Sequence, residues 1–117
     1  MEPVGPYSHI AKVGQFITIS AAAGVDPSTG ELAGPDVDAQ TRQIIDAFSI
    51  MLASVGSDLD HIIHVNVFLT DMNDFAVMNA AYADRMGDHR PARTAIAVNG
   101  LPPGALLTMN LTAVVNE

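Results

Sequence analysis

The pattern of residues 106–115 constrains the fold more than any other stretch of the chain. One set of alternate positions is Leu107, Met109, Leu111 and Ala113, and the other is Leu106, Thr108, Asn110 and Thr112. Successive side chains of a β-strand point to opposite faces of a sheet. The pattern therefore predicts a strand with one apolar face packed under helices and one neutral, mixed face.

Periodicity elsewhere predicts two helices and the remaining strands. Apolar side chains recur at spacings of three and four in two segments, each followed by a glycine. The stripe of the second segment is Phe75, Met78, Tyr82 and Met86. Asp36 or Asp38 is expected to cap the first helix, and Gly56 and Gly87 to end the two helices. The predicted elements are a hairpin at 8–20, a helix at 37–55, a strand at 62–69, a helix at 75–86, and strands at 93–98 and 106–115. Residues 31–33 are expected to form only a short link. The order β-β-α-β-α-β-β indicates an α+β fold with both helices on one face of the sheet.

Composition excludes several classes of function. The 117 residues are 49% hydrophobic, which is enough for a single domain over residues 1–117. Five Lys and Arg stand against 13 Asp and Glu, so the net charge of -8 argues against a nucleic-acid partner. The absence of cysteine excludes disulfides, thiolate nucleophiles and cysteine-type zinc sites. No leader pattern or apolar run of about 18 residues is visible, so we expect a soluble cytoplasmic protein without a membrane partner.

The usual motifs for metal, nucleophilic and phosphate chemistry are missing. His61 and His64 are three apart, a spacing that on a strand separates the two side chains, while His9 and His89 have no partner at a ligand spacing. No metal site is therefore expected. The chain has no Gly-x-Ser-x-Gly elbow, and its Gly-Leu-Pro-Pro-Gly run at 100–104 lacks the lysine of a phosphate-binding loop.

Arg93 is the charged residue that most needs a partner, because it stands at the start of an apolar strand. Its planar guanidinium fits a carboxylate through two parallel hydrogen bonds. That carboxylate belongs either to the chain itself or to a ligand. On residue type alone, an internal ion pair is the commoner outcome.

The charge-poor sheet face predicts an assembly. Phe16, Thr18 and Ser20 continue on the first hairpin the neutral character of the last strand. Such a face suits bulk water poorly, and we infer that other copies of the chain bury it. The alternative is a weakly polar face that remains solvated.

Four motifs resemble the RidA (YjgF/YER057c/UK114) family. They are Gly-Pro-Tyr-Ser at 5–8, Asp-Ala-Gln-Thr-Arg-Gln at 38–43, Phe-Leu-Thr-Asp-Met-Asn-Asp-Phe at 68–75 and Arg-Pro-Ala-Arg-Thr at 90–94. In this order they extend over nearly the whole chain. The resemblance implies a chorismate-mutase-like fold with a mixed sheet. It also implies a barrel-like homotrimer with three equivalent clefts between subunits.

The resemblance further implies hydrolysis of small enamine and imine carboxylates, such as 2-aminoacrylate and 2-iminopropanoate, to 2-keto acids and ammonia. Arg93 would clamp the substrate carboxylate, Tyr7 and Asn79 would line the cleft, and Ser20 would lie on its wall. An imine is already electrophilic, so positioning it against a water molecule accelerates hydrolysis without a cofactor.

Three departures from the family pattern alter the other half of the site. The chain has Ser20-Ala21-Ala22 where active deaminases have Ser-Gly-Gln, and Ala95 where a cysteine is common. Thr108 replaces the acidic residue that helps to orient the attacking water, and a hydroxyl is no carboxylate base near neutral pH. The predicted catalytic residues are Arg93 and Thr108, and the predicted substrate-binding residues are Tyr7, Ser20, Ala21, Asn79, Arg93 and Ala95.

Two hypotheses follow from these matches and departures. The first is a deaminase of imines and enamines, weak or shifted in substrate. The second is a RidA-like trimer without deaminase activity that binds small carboxylates or runs a pathway-specific reaction. Arg93, Tyr7, Ser20 and Asn79 favour the first, whereas Ala21 and Thr108 favour the second. Ribonuclease and chaperone-like activities have also been described for the family, but the acidic charge disfavours RNA.

Overall fold

Seven strands and two α-helices form the described part of the protein. The computed structural model describes residues 6–26 and 28–116. The strands are β1 (Ile10–Val13), β2 (Phe16–Ala22), β3 (Val25–Asp26), β4 (Glu31–Leu32), β5 (Ile62–Leu69), β6 (Ala92–Ala97) and β7 (Leu107–Val114). The helices are α1 (Val37–Ala53) and α2 (Phe75–Met86). Each helix and main-sheet strand lies within two residues of its predicted bounds.

The main sheet is mixed and has the order β1-β2-β7-β5-β6. Strands β5 and β6 are parallel and are joined through α2, whereas the other neighbours are antiparallel. A parallel pair needs a crossover connection, and a helix is the usual one. Both helices pack on the same face of the sheet, which confirms the predicted α+β fold. Strands β3 and β4 form a separate pair, so residues 31–33 are more than the predicted link.

Helix α1 begins where its N-terminal N–H groups find a side-chain acceptor. Asp36 Oδ1 accepts a hydrogen bond from the backbone N–H of Ala39 at 2.8 Å, which resolves the two predicted caps in favour of Asp36. Ile44, Phe48 and Leu52 are buried at helical spacing beneath it. The helix ends at Ala53, two residues before the predicted bound.

Helix α2 follows a turn that is held by the side chain of Asp71, whose Oδ1 accepts a hydrogen bond from the N–H of Asn73 at 2.9 Å. The helix ends at Gly87, which has a φ of 68°. Positive φ is easy only for glycine, so this residue permits the sharp exit toward β6. Met78 and Tyr82 are buried on the face that turns to the sheet.

A buried glutamine connects α1 to the loop before β7. Gln40 Nε2 donates to the carbonyl oxygens of Gly34 and Gly104 at 2.9 and 3.1 Å, and its Oε1 accepts from the N–H of Leu106 at 2.9 Å. All three bonds are made inside the protein, so the amide is fully used although it is buried. They hold the start of β7 beneath the helix.

The opposite sheet face, called the open face below, carries the neutral pattern predicted from the sequence. It presents Phe16, Thr18, His64, Asn66, Phe68, Thr94, Ile96, Thr108, Asn110 and Thr112. Of these ten side chains only His64 is titratable. Asn66 Nδ2 donates to Asn110 Oδ1 at 2.8 Å, and the Phe16 side chain is 54% exposed. The prediction that other copies cover this face remains a prediction.

The described helices include none that is both long and apolar enough to cross a membrane.

Candidate functional site

Arg93 lies on the edge strand β6, on the face of the sheet that carries the helices. Its register partner is the buried Val65 of β5. The guanidinium carbon is 4.9 Å from the ring centroid of Tyr82 and 5.7 Å from that of Phe75, and Nη1 is 3.9 Å from Met78 Sδ. Aromatic faces attract a cation at these distances, but they do not neutralise its charge.

No carboxylate within residues 6–26 and 28–116 pairs with Arg93. The ion pairs there join Arg42 to Asp38 and Asp84, Arg85 to Asp46, and His61 to Asp58. The internal ion pair that residue type alone favoured is therefore not found in the described chain. A half-buried guanidinium whose only described acceptor is a weak one, the sulfur of Met78, is suited to an anion from outside the chain.

A groove of about 290 Å³ opens beside this guanidinium and is called the arginine groove below. It is lined by Asn79, Tyr82, Ala83, Arg90, Pro91 and Arg93. Arg90 is exposed, and its Nη1 donates to the backbone carbonyls of Gly87 and of His89, the latter at 2.9 Å. Two arginines thus border one small groove on an otherwise acidic protein.

Two residues of the arginine groove have buried polar atoms without a hydrogen-bond partner in the described chain. They are Asn79 Oδ1 and the Tyr82 hydroxyl. Burial raises the pKa of Tyr82 above its usual value, although the charges of Arg93 and Arg90 oppose the shift, so the phenol stays protonated near neutral pH. Each unpaired buried group costs about 1–3 kcal/mol of stability. Buried polar groups without a partner are few in folded proteins, and a functional role is one reason for them.

Asn79 and Ala95 are two of the predicted site residues, and the structure places both near Arg93. Asn79 lines the arginine groove, and Ala95 lies two residues further along β6, packed against the core. From the sequence, Tyr82 is predicted only as a member of the apolar stripe of α2, and Arg90 is noted only as part of a family motif. Arg90 lies three positions before Arg93, and Tyr82 lies three positions after Asn79. These spacings indicate a shared groove only when α2 is known to cover β6.

Tyr7, Ser20 and Ala21 form a second group, which lies near β2 and is separated from β6 by the strands β7 and β5. Tyr7 is exposed, and its ring meets that of His9 edge-on, with centroids 5.8 Å apart. Ser20 Oγ donates to the carbonyl oxygen of His9 at 3.4 Å. Ser20 and Ala21 lie where the register between β2 and β7 shifts. Such irregularities bend a strand and often re-aim side chains.

Thr108 lies on the open face, opposite Phe68 of β5, and is 8% exposed. Arg93 lies on the helix face, and β6 is separated from β7 by β5. The two predicted catalytic residues are therefore on opposite faces of the sheet and roughly 10 Å apart across the strands. One chain does not bring them together. Strand β2, which carries Ser20, is a further strand away, roughly 14 Å from β6.

Two of the four histidines, His61 and His89, contact different partners. His61 precedes β5 instead of lying on it as assumed, and its Nδ1 is 2.6 Å from Asp58 Oδ1. His89 Nε2 lies 2.8 Å from the carbonyl oxygen of Ile62. No group of three possible metal ligands occurs in the part of the chain that the structure describes.

The fold and this site define a class: small α+β proteins with two helices on one face of a mixed sheet and an arginine groove at the sheet edge. The profile of the Endoribonuclease L-PSP family matches residues 1–115. The chain belongs to this family, also known as the RidA (YjgF) family.

Relatives with names and structures support the assignment. A RutC family protein of Pyrococcus horikoshii is 41% identical over 112 residues, which cover 96% of this chain and 89% of the relative. The 2-iminobutanoate/2-iminopropanoate deaminase of Mus musculus is 34% identical, covering 95% of this chain and 82% of the relative. The crystal structure of E. coli TdcF with bound serine has a TM-score of 0.90 at 31% identity, over 97% of this chain and 91% of that chain.

Proposed function

We propose that this protein hydrolyses small enamine and imine carboxylates to 2-keto acids and ammonia, at a rate limited by Thr108. The observation that carries the proposal is the Arg93 guanidinium, which is half-buried and has no carboxylate partner in the described chain. The similarity to a mouse imine deaminase supports the reaction, and the serine in TdcF supports a ligand with a carboxylate next to a nitrogen.

The proposed reaction consumes water and needs no redox partner. Arg93 binds the substrate carboxylate with its paired donors and so orients the adjacent C=N carbon. An enamine first becomes the imine, as its terminal carbon gains a proton and its nitrogen loses one. Water then adds to the C=N carbon, a proton passes to nitrogen, and the tetrahedral intermediate releases ammonia and leaves a C=O group. The hydroxyl of Thr108 can hold the water by a hydrogen bond but cannot remove its proton as a carboxylate does. No cofactor takes part in this scheme.

We further propose that the complete site lies between two chains of a homotrimer. Arg93 and Asn79 belong to the β6 side of the sheet, whereas Tyr7, Ser20 and Thr108 belong to the β2 and β7 side. A cleft between neighbouring copies joins the two groups, because the β6 side of one copy can face the β2 side of the next. The charge-poor open face supplies a surface that such an assembly would bury.

Light scattering at micromolar concentration should therefore give three times the 12.3 kDa chain mass. Thr112→Lys places a charge on the exposed part of the open face and should shift the protein toward monomer, because burying an unpaired charge is costly. Ser49→Lys adds the same charge on the exposed surface of α1 and should leave the mass unchanged. A wild-type protein that remains monomeric would refute the shared cleft.

The function itself is tested by generating 2-aminoacrylate enzymatically and following the appearance of 2-keto acid. We expect the protein to accelerate hydrolysis above the spontaneous rate, although weakly, since positioning and the Arg93 clamp remain while the acidic residue is absent. Calorimetric binding of 2-ketobutyrate is measured in parallel. Binding without any acceleration would favour the alternative, a trimer that binds small carboxylates or runs a pathway-specific reaction. If the protein neither binds 2-ketobutyrate nor accelerates hydrolysis, both hypotheses are refuted.

A further inference from the structure

The distribution of the chain's cations points to a second anion-binding group at the arginine groove. The five cations are Lys12, Arg42, Arg85, Arg90 and Arg93. Arg42 and Arg85 are bound to carboxylates, and Lys12 Nζ lies 3.4 Å from the carbonyl oxygen of Val55. Lys12, Arg90 and Arg93 have no carboxylate partner among the described residues, and of these three Arg90 and Arg93 line the same groove.

We propose that the arginine groove prefers a small 2-keto or 2-imino acid with a second carboxylate. Arg93 takes the carboxylate next to the reacting carbon, and Arg90 takes the distal one. This inference rests on the proposed carboxylate site and adds its substrate class. Arg90 acts as a specificity-determining residue, while the chemistry at the C=N bond is unchanged.

The position of Arg90 suits this role. It lies three positions before Arg93, so their Cα atoms are at most about 10 Å apart even in extended chain. Two long side chains at that separation reach a single ligand in a groove of about 290 Å³. The carbonyls of Gly87 and His89 hold Nη1 of Arg90 and leave Nε and Nη2 without a partner in the described chain. Carbonyl oxygens orient the guanidinium and leave its full positive charge in place.

The distribution of charge explains why the groove should favour a dicarboxylate over a monocarboxylate. A net charge of -8 repels a dianion from most of the surface, so a dianion binds well only where cations are concentrated. Arg90 has a possible structural role as well, since a cation near the end of α2 interacts favourably with the last carbonyls of the helix. That role concerns helix stability and predicts no difference between a monoacid and a diacid.

The test compares two acids of equal chain length, 2-oxoglutarate and 2-oxopentanoate, by calorimetry on the assembled wild-type protein. We expect 2-oxoglutarate to bind on the order of tenfold more tightly, with a ratio that shrinks as salt is added. Arg90→Gln should bring the ratio close to one. Arg90→Lys should keep most of the preference, because the second charge remains. If Arg90→Gln folds poorly, the inference is tested by the affinity ratio of Arg90→Lys, which should stay high, and by the salt dependence of the wild-type ratio.

Several outcomes would overturn the inference. A wild-type ratio near one, or a ratio that Arg90→Gln leaves unchanged, refutes the role of Arg90 while leaving the proposed function intact. A ratio unchanged together with a lower assembly mass would assign Arg90 to a contact between copies. Failure of the wild-type protein to bind either acid refutes the inference. If it still binds 2-ketobutyrate, the proposed function stands; if it binds none of the three acids, the carboxylate site is refuted as well.

Discussion

Replacing Arg93 with lysine should weaken binding of 2-ketobutyrate by roughly 1–3 kcal/mol, which is about five- to 150-fold in the dissociation constant. Lysine keeps the charge but lacks the planar fork that grips both carboxylate oxygens. The melting temperature should barely change, since Arg93 forms no ion pair in the described chain and an ammonium still interacts with the rings of Phe75 and Tyr82.

Arg85→Lys is the matched control for this experiment. Arg85 lies in the last turn of α2, and its Nε is 3.1 Å from Asp46 Oδ1 in an exposed ion pair. The same substitution there should alter neither ligand affinity nor stability by a large amount. If Arg93→Lys instead lowers the melting temperature strongly and leaves the affinity for 2-ketobutyrate unchanged, Arg93 has a structural role and the clamp is wrong.

Thr108→Glu should raise hydrolysis of 2-aminoacrylate by something on the order of ten- to a thousandfold. The substitution restores a carboxylate at the place where the resemblance implies an acidic residue that orients water. Position 108 is on the open face, so the longer side chain extends away from the core formed by Leu107, Met109 and Leu111. It lies opposite Phe68 and is only 8% exposed, so the introduced carboxylate should have a raised pKa.

The raised pKa predicts a pH profile for the variant. Its activity should increase with pH as the carboxylate ionises, whereas the wild-type rate should lack that step. Thr108→Gln is the control, because it matches the size of glutamate without a carboxylate and should give no increase. Full deaminase activity of the wild-type protein would show that a hydroxyl suffices at this position. Inactive wild-type and Thr108→Glu proteins that both bind 2-ketobutyrate would favour the binding-protein alternative.

Local sequence patterns predicted the elements well because each pattern is a property of a single segment. The alternation along 106–115 predicted both faces of β7, and Leu107, Met109 and Leu111 are indeed buried. Glycine at 87 ended α2 as expected, since few other residues adopt a positive φ. Asn79 was placed near Arg93 by resemblance, and the structure has both residues in one groove.

Other features of the candidate site depend on long-range contacts that the sequence does not show. Residue type favoured an internal partner for Arg93, but the carboxylates Asp38, Asp84 and Asp46 are bound to other arginines. Tyr82 satisfied the helical stripe as a core residue, yet its hydroxyl is buried without a partner in the described chain. Spacing alone does not reveal either fact, because both depend on how α1 and α2 lie against each other.

By itself the sequence determined the helices, the strands of the main sheet, the charge-poor sheet face and the presence of one arginine at the start of an apolar strand. Those features follow from period, charge and residue type within short segments. Only the tertiary structure decided that Arg93 and Thr108 lie on opposite faces, and that Arg90 and Tyr82 share a groove with Arg93. The physical reason is the strand order: the parallel crossover through α2 sets β6 at the sheet edge under that helix, and no local pattern encodes which strands become neighbours.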